Sequence, residues 1–168
     1  MKWVIIILIM MSLVGSMMWV MPSKRQRFQA ELRRQASQKG FNVQIVRLTP
    51  PRGIGQIEPE TYMATAYRLP RFNLEKGERE SFREWQVYKQ EAIANEGLPA
   101  GWCWGAGERQ MDDTQLGLLA ELIGMMPEGV NSIESTPVHF SVFWDERGQI
   151  ETLDQFKTQM QKIVDNKF

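Results

Sequence analysis

Side chains that carry most protein chemistry are scarce here: the chain has one cysteine, Cys103, and one histidine, His139. One of each excludes an intrachain disulfide and any Cys/His zinc site built within one chain. Cys103 lies between Trp102 and Trp104, and an apolar setting of that kind raises a thiol pKa and leaves the sulfur inert. His139 shares one face of an expected strand with Ser141. A Ser-His pair needs a third group to orient the imidazole, and no neighbour in the sequence supplies one, so a surface histidine is the default. Asp112-Asp113 and Asp145-Glu146 fall at an expected helix start and a turn, where carboxylates serve as caps. The glycine-rich stretch 101–107 lacks both the Lys-Ser/Thr of a P-loop and the spacing of a dinucleotide fingerprint. It reads as a packed loop pinned by its tryptophans. No catalytic set, metal site or cofactor site assembles, and the expectation is a protein that is not an enzyme.

Positioning elements follow from charge and hydropathy. Formal net charge is zero, yet residues 22–40 hold six cations (Lys24, Arg25, Arg27, Arg33, Arg34, Lys39) against Glu31 alone. From residue 41 onward there are 13 Lys or Arg against 19 Asp or Glu. An acidic domain lacks the footprint for phosphate backbones, which argues against nucleic acid as a partner. Residues 3–21, WVIIILIMMSLVGSMMWVM, contain no charge. As a helix of about 28 Å they are expected to form a single N-terminal transmembrane helix, with Trp3 and Trp19 at the headgroup levels. Run length and the basic flank favour an uncleaved anchor over a signal peptide. The cations Lys24, Arg25, Arg27, Arg33 and Arg34 would sit at the membrane interface, leaving the N-terminus outside and the C-terminal domain in the cytoplasm. Ser12, Gly15 and Ser16 would let a partner helix pack closely.

Beyond the anchor (1–21), residues 22–40 predict a basic juxtamembrane helix with Phe28, Leu32 and Ala36 as a narrow apolar stripe. That helix either lies on anionic lipid or simply sets topology. Residues 41–168 predict an α+β domain. Strands are expected at 41–48, 62–69, 84–92, 130–135 and 138–144, from β-branched or aromatic patterning between turn signals. Residues 81–95 also carry helical spacing, at Phe82, Trp85 and Tyr88 or Lys89. Residues 71–80 read as a turn or exposed excursion, and 97–107 as an irregular connection. Helices are expected from Asp112-Asp113 to Pro127, and from Thr152 with Gln155 completing a capping box. The fold class is α+β, a small antiparallel or mixed sheet with two or three helices behind the transmembrane helix.

The first 48 residues, with one apolar span, the run Pro22-Ser-Lys-Arg-Gln-Arg, a helix, Lys39-Gly40 and a strand, resemble the YajC family of accessory subunits of the bacterial preprotein translocase. Beyond Leu48 the sequence departs from that pattern. The resemblance implies a non-enzymatic accessory or scaffold subunit of a bacterial inner-membrane complex, with the lipid bilayer, integral-membrane subunits and a cytoplasmic protein as partners. The alternative is a membrane-anchored ligand-sensing or regulatory domain with a pocket around Trp85, Trp102 and Trp104.

Overall fold

The computed structural model describes residues 2–168, the side chains of 17–20 excepted. The elements run α1 (Lys2–Val20), α2 (Lys24–Gln38), β1 (Asn42–Leu48), β2 (Tyr62–Pro70), α3 (Lys76–Glu80), β3 (Trp85–Tyr88), β4 (Cys103–Ala106), α4 (Asp113–Met125), β5 (Val130–Ser135), β6 (His139–Trp144) and α5 (Thr152–Asp165). The chain is thus α+β. It divides into two compact units, residues 1–32 and 33–168.

The first unit corrects a central expectation. Among the described residues no helix is long and apolar enough to cross a membrane. The expected transmembrane anchor is therefore corrected, and with it the single-pass inner-membrane placement with an outside N-terminus and a cytoplasmic domain. Trp19, expected at one headgroup level, has its side chain outside the described residues. Lys24, Arg25 and Arg27 are exposed on the first turns of α2, whereas Leu32 of the apolar stripe is fully buried.

In the second unit six strands form one antiparallel sheet in the order β1-β2-β6-β5-β3-β4. Alternation along the strands gives the sheet two unlike faces. On one, Tyr67, Trp144, Ile133, Val87 and Phe140 are fully or almost fully buried. There α5 lays Phe156 edge-on to Trp144, with centroids 5.1 Å apart, and 6.4 Å from Tyr67. Spacing of Leu153, Phe156, Met160 and Ile163 puts one α5 stripe on that surface, and all four are buried. On the opposite face Ala64, Ala66, Tyr88, Cys103 and Phe143 form a second apolar cluster with Leu48 and Ala92.

Three local expectations change. A fourth consecutive strand, β4, occupies part of the expected irregular loop. Glycine makes this strand possible, because a Cβ at Gly105 would lie 2.3 Å from Cε2 of Tyr88, so only a bare backbone approaches that ring. Residues 76–80 form the short helix α3 within the expected excursion. At α5 the Thr152–Gln155 capping box is absent, since Thr152, Leu153 and Asp154 donate their N–H groups to the carbonyls of Gln149, Ile150 and Glu151. The preceding turn supplies acceptors that a cap side chain would otherwise provide. At α4 the box does form, between Asp112 and Gln115, with bonds of 2.8 and 3.2 Å.

The end of α2 is fastened by a buried carboxylate. Glu146, its side chain 1% exposed, accepts from Arg33 Nε at 2.6 Å and Nη2 at 2.8 Å, and from the Tyr67 hydroxyl at 2.9 Å. Arg33 Nη2 also donates to Thr65 Oγ1 at 3.3 Å. Burial and the neighbouring carboxylate both raise the Tyr67 pKa, keeping the phenol a donor. Glu146 adopts a left-handed φ of 60°, a strained conformation that persists where side-chain contacts over-determine it. Lys39 adds a second tie, to Asp154 in the first turn of α5.

Removing one partner of a buried pair strands the other. Arg33→Ala, which strands the buried carboxylate, should lower unfolding free energy in urea by about 3 kcal/mol, and Glu146→Ala, which leaves a guanidinium 34% exposed, should lower it by less. The double variant should lose clearly less than the sum of the two, and strict additivity would show that the pair is uncoupled.

Candidate functional site

Two places gather chemistry-bearing side chains, one on each face of the sheet. On the face away from α5, cross-strand register aligns Arg68, Ser141, Glu134 and Gln86 on β2, β6, β5 and β3. Ser141 Oγ donates to Glu134 Oε2 at 3.2 Å and lies 3.1 Å from His139 Nδ1. The third group missing from the sequence is therefore Glu134, brought in by pairing of β5 with β6.

Geometry argues against a catalytic triad here. Such a relay has the nucleophile on one ring nitrogen and the carboxylate on the other. In this cluster Ser141, the Thr136 hydroxyl at 3.2 Å and Glu134 at 4.0 Å all approach the same atom, Nδ1. Ser141 is also completely buried, so no substrate carbonyl reaches its oxygen. The set reads as a cross-strand polar network.

His139 is half-buried rather than on the surface. Burial first, then Arg68, lower its pKa from the ordinary 6.5, with Glu134 opposing them. A depressed folded-state pKa means that the neutral ring contributes stability above the unfolded value, and that this contribution is lost as pH falls through the folded value.

The second place lies at the β3 end of the α5 side. A cavity of about 280 Å³ is lined by Leu74, Phe82, Trp85, Met111 and Phe168, with Gln110 and Gln115 among its polar groups. Trp85 is 3% exposed, stacks on Phe168 at 6.3 Å and 23°, and meets Phe140 edge-on at 5.9 Å. Lys167, at a left-handed φ of 56°, turns the chain so that Phe168 lies back over the indole. Its ammonium pairs with Glu78 at 2.6 Å. Behind Phe82 sits Arg71, 2% exposed, its Cζ 4.9 Å from that ring's centroid. Arg71 Nη2 donates to Ser135 Oγ and the Phe168 carbonyl, each at 2.7 Å. Burial brings the Arg71 pKa down to about 10.

Two donors at this end are orphaned. The Trp85 indole N–H and Arg71 Nε are both buried without a hydrogen-bond partner. By contrast, Trp104 donates to the Glu96 carbonyl at 2.9 Å and Trp144 to the Glu128 carbonyl at 3.1 Å. A buried unsatisfied donor is unfavourable by about 1–3 kcal/mol, which makes the exception informative.

Compared with family models, curated proteins and solved structures, the chain matches none. Among the described residues no group of three or more His, Cys, Asp or Glu could hold a metal ion.

Of the residues singled out in the sequence, Trp85 lines the cavity, while Trp102 and Trp104 are buried elsewhere. Cys103 is buried beneath the far face, and burial pushes its thiol pKa up. Arg33 is engaged by Glu146, and Arg34 is likewise partnered. Trp3, Ser12, Gly15 and Ser16 are exposed on α1. Phe168 and Arg71 were not legible as neighbours of this site, because the turn at Lys167 brings Phe168 to Trp85 and Arg71 is tied in through Ser135 and the Phe168 carbonyl.

For His139 the sign of its pKa shift gives a test. Lowering pH from about 7.5 to about 5.5 should reduce the urea midpoint more in the wild type than in His139→Gln. Equal reductions would place the acid sensitivity elsewhere.

Proposed function

We propose that the protein is a non-enzymatic accessory or scaffold subunit, with α1 packing against a helix of another protein. One observation carries this reading: large apolar side chains stand exposed along α1, including Trp3 at 77%, Leu8 at 68% and Met11 at 71%. A continuous apolar surface of that extent marks an interaction site. Small residues give it a place for close approach. A Cβ built at Gly15 meets nothing within 4 Å, and the Ser16 hydroxyl already donates to the Leu13 carbonyl at 2.8 Å. Ser16 can therefore enter an apolar interface without a stranded donor. The likeness of residues 1–48 to the YajC family supports the same class of role.

Tagging the C-terminus in the native cells, cross-linking through Lys24 or Lys39 and identifying what co-purifies tests the proposal. A single stoichiometric protein is expected, with capture falling at least about tenfold in Leu8→Asp. Recovery of the chain alone would sink it.

A second reading, a ligand-sensing or regulatory domain, is favoured by the aromatic-walled cavity beside Trp85. Native mass spectra of the chain purified from its own cells should then show a bound small molecule.

A further inference from the structure

We infer that β1 is the pairing edge of a symmetric dimer. Two copies of the chain join their β1 strands antiparallel about a two-fold axis at Ile45, continuing the sheet from one copy into the other.

The outer strands of the sheet, β1 and β4, are treated differently. An outer strand presents a row of unpaired N–H and C=O groups, and proteins blunt it with short length, irregular pairing, proline, lysine or a covering loop. β4 is blunted in this way. It has four residues, its register with β3 is interrupted between Gln86 and Val87, and the Trp104 N–H donates to the Ala94 carbonyl at 2.7 Å. β1 has none of these protections. Its seven residues, NVQIVRL, include no proline and no lysine, and they pair with β2 in unbroken register from Asn42 to Leu48. Among the described residues, no backbone hydrogen bond from outside the β1–β2 ladder reaches 42–48. The open edge is about 23 Å long at about 3.3 Å per residue.

The side chains of β1 select a second copy as the occupant. In an isologous contact, residue i of one copy faces residue j of the other and j faces i. With the axis at Ile45, Asn42 faces Leu48, Val43 faces Arg47, Gln44 faces Val46 and Ile45 faces itself, so the whole strand is paired. Moving the axis along the strand shortens the ladder, and placing it at Arg47 opposes like charges. In the full register the single charge of β1, Arg47, lies opposite the partner's Val43, and no like charges meet. Val43, Ile45 and Arg47 line up with Tyr67, Thr65 and Met63 of β2. On that face Ile45 is 56% and Met63 60% exposed. Pairing covers Ile45 with its own copy and lays the aliphatic stem of Arg47 between Met63 and the partner's Val43. On the opposite face the Gln44 carbonyl oxygen already accepts from Arg68 Nη1 at 2.7 Å, so pairing strands no acceptor there.

An edge of this length buries less than a standard interface, which places the dimer Kd in the micromolar range. The test uses the full-length chain in a mild nonionic detergent at about 100 μM. Cys103 is buried, so a cysteine introduced on β1 is the reactive one. On mild oxidation, Ile45→Cys should form an interchain disulfide at least about tenfold faster than Arg47→Cys. Facing Cα atoms lie about 4.5–5.5 Å apart, whereas the two copies of position 47 are about 13 Å apart along the strands. Ile45→Lys changes an exposed side chain, so the fold is kept while like charges meet at the axis. Sedimentation should show self-association weakened at least about fivefold. Ile45→Glu alone should do the same, and an equimolar mixture of the two variants should restore association, which a merely structural effect of either substitution would not. Association through α1 is common to all these variants and does not follow residue 45. Equal disulfide rates at positions 45 and 47, or a mixture that associates no better than either variant alone, would overturn the inference. Ile45→Cys joined in the native cells to a different protein and not to its own copy would also overturn it, and would assign the edge to a foreign strand.

Discussion

The carboxylate of Glu146 accepts hydrogen bonds from a guanidinium on α2 and a phenol on β2, at 2.6–2.9 Å, from a position just beyond β6. Three segments far apart in sequence therefore converge on one buried anion. Burying such a charge is unfavourable unless its lone pairs are filled. The requirement fixes where the end of α2 meets the sheet and holds Glu146 at a left-handed φ. It also sets the exit of the chain from β6 into the turn that opens α5. Because α5 supplies Phe156 to Trp144 and Tyr67, the same tie governs how the helix-side core closes.

Closure of that core decides where the candidate ligand site lies. Residues after α5 turn back at Lys167 and set Phe168 against Trp85, so the cavity is walled partly by the last turn of the chain and partly by β3. Arg71 braces the arrangement by donating to both Ser135 and the Phe168 carbonyl. The other face of the sheet has a different character. Its polar row is bonded across strands at Ser141 and Glu134 while Arg68 Nε stays buried without a partner, and its apolar end packs Cys103, Tyr88 and Phe143 away from solvent. Buried polar atoms without a partner occur on both faces, Arg68 Nε on this one and Trp85 Nε1 with Arg71 Nε on the other.

The N-terminal unit presents the opposite problem, apolar surface without a cover. Protein interiors and interfaces are the places where such side chains gain free energy from leaving water. A second helix with matching side chains would bury them. The small residues at 12, 15 and 16 mark the region where two backbones can come nearest.

Sequence alone determined the periodic features: five of the strand segments, the α4 cap at Asp112, the buried stripe of α5 and the scarcity of His and Cys that limits the chemistry. These are local properties, written in spacings of two or between three and four residues. It misjudged α1, where run length suggested a membrane span, and it missed β4, where glycines disguised an edge strand pressed against Tyr88. Pairings between distant segments were decided only in the tertiary structure. Glu134 reaches Ser141 through strand register, Arg33 reaches Glu146 across most of the chain, and Phe168 reaches Trp85 through a left-handed turn. None of these has a local signature, because each depends on which strands become neighbours and on which buried polar groups find partners once they do.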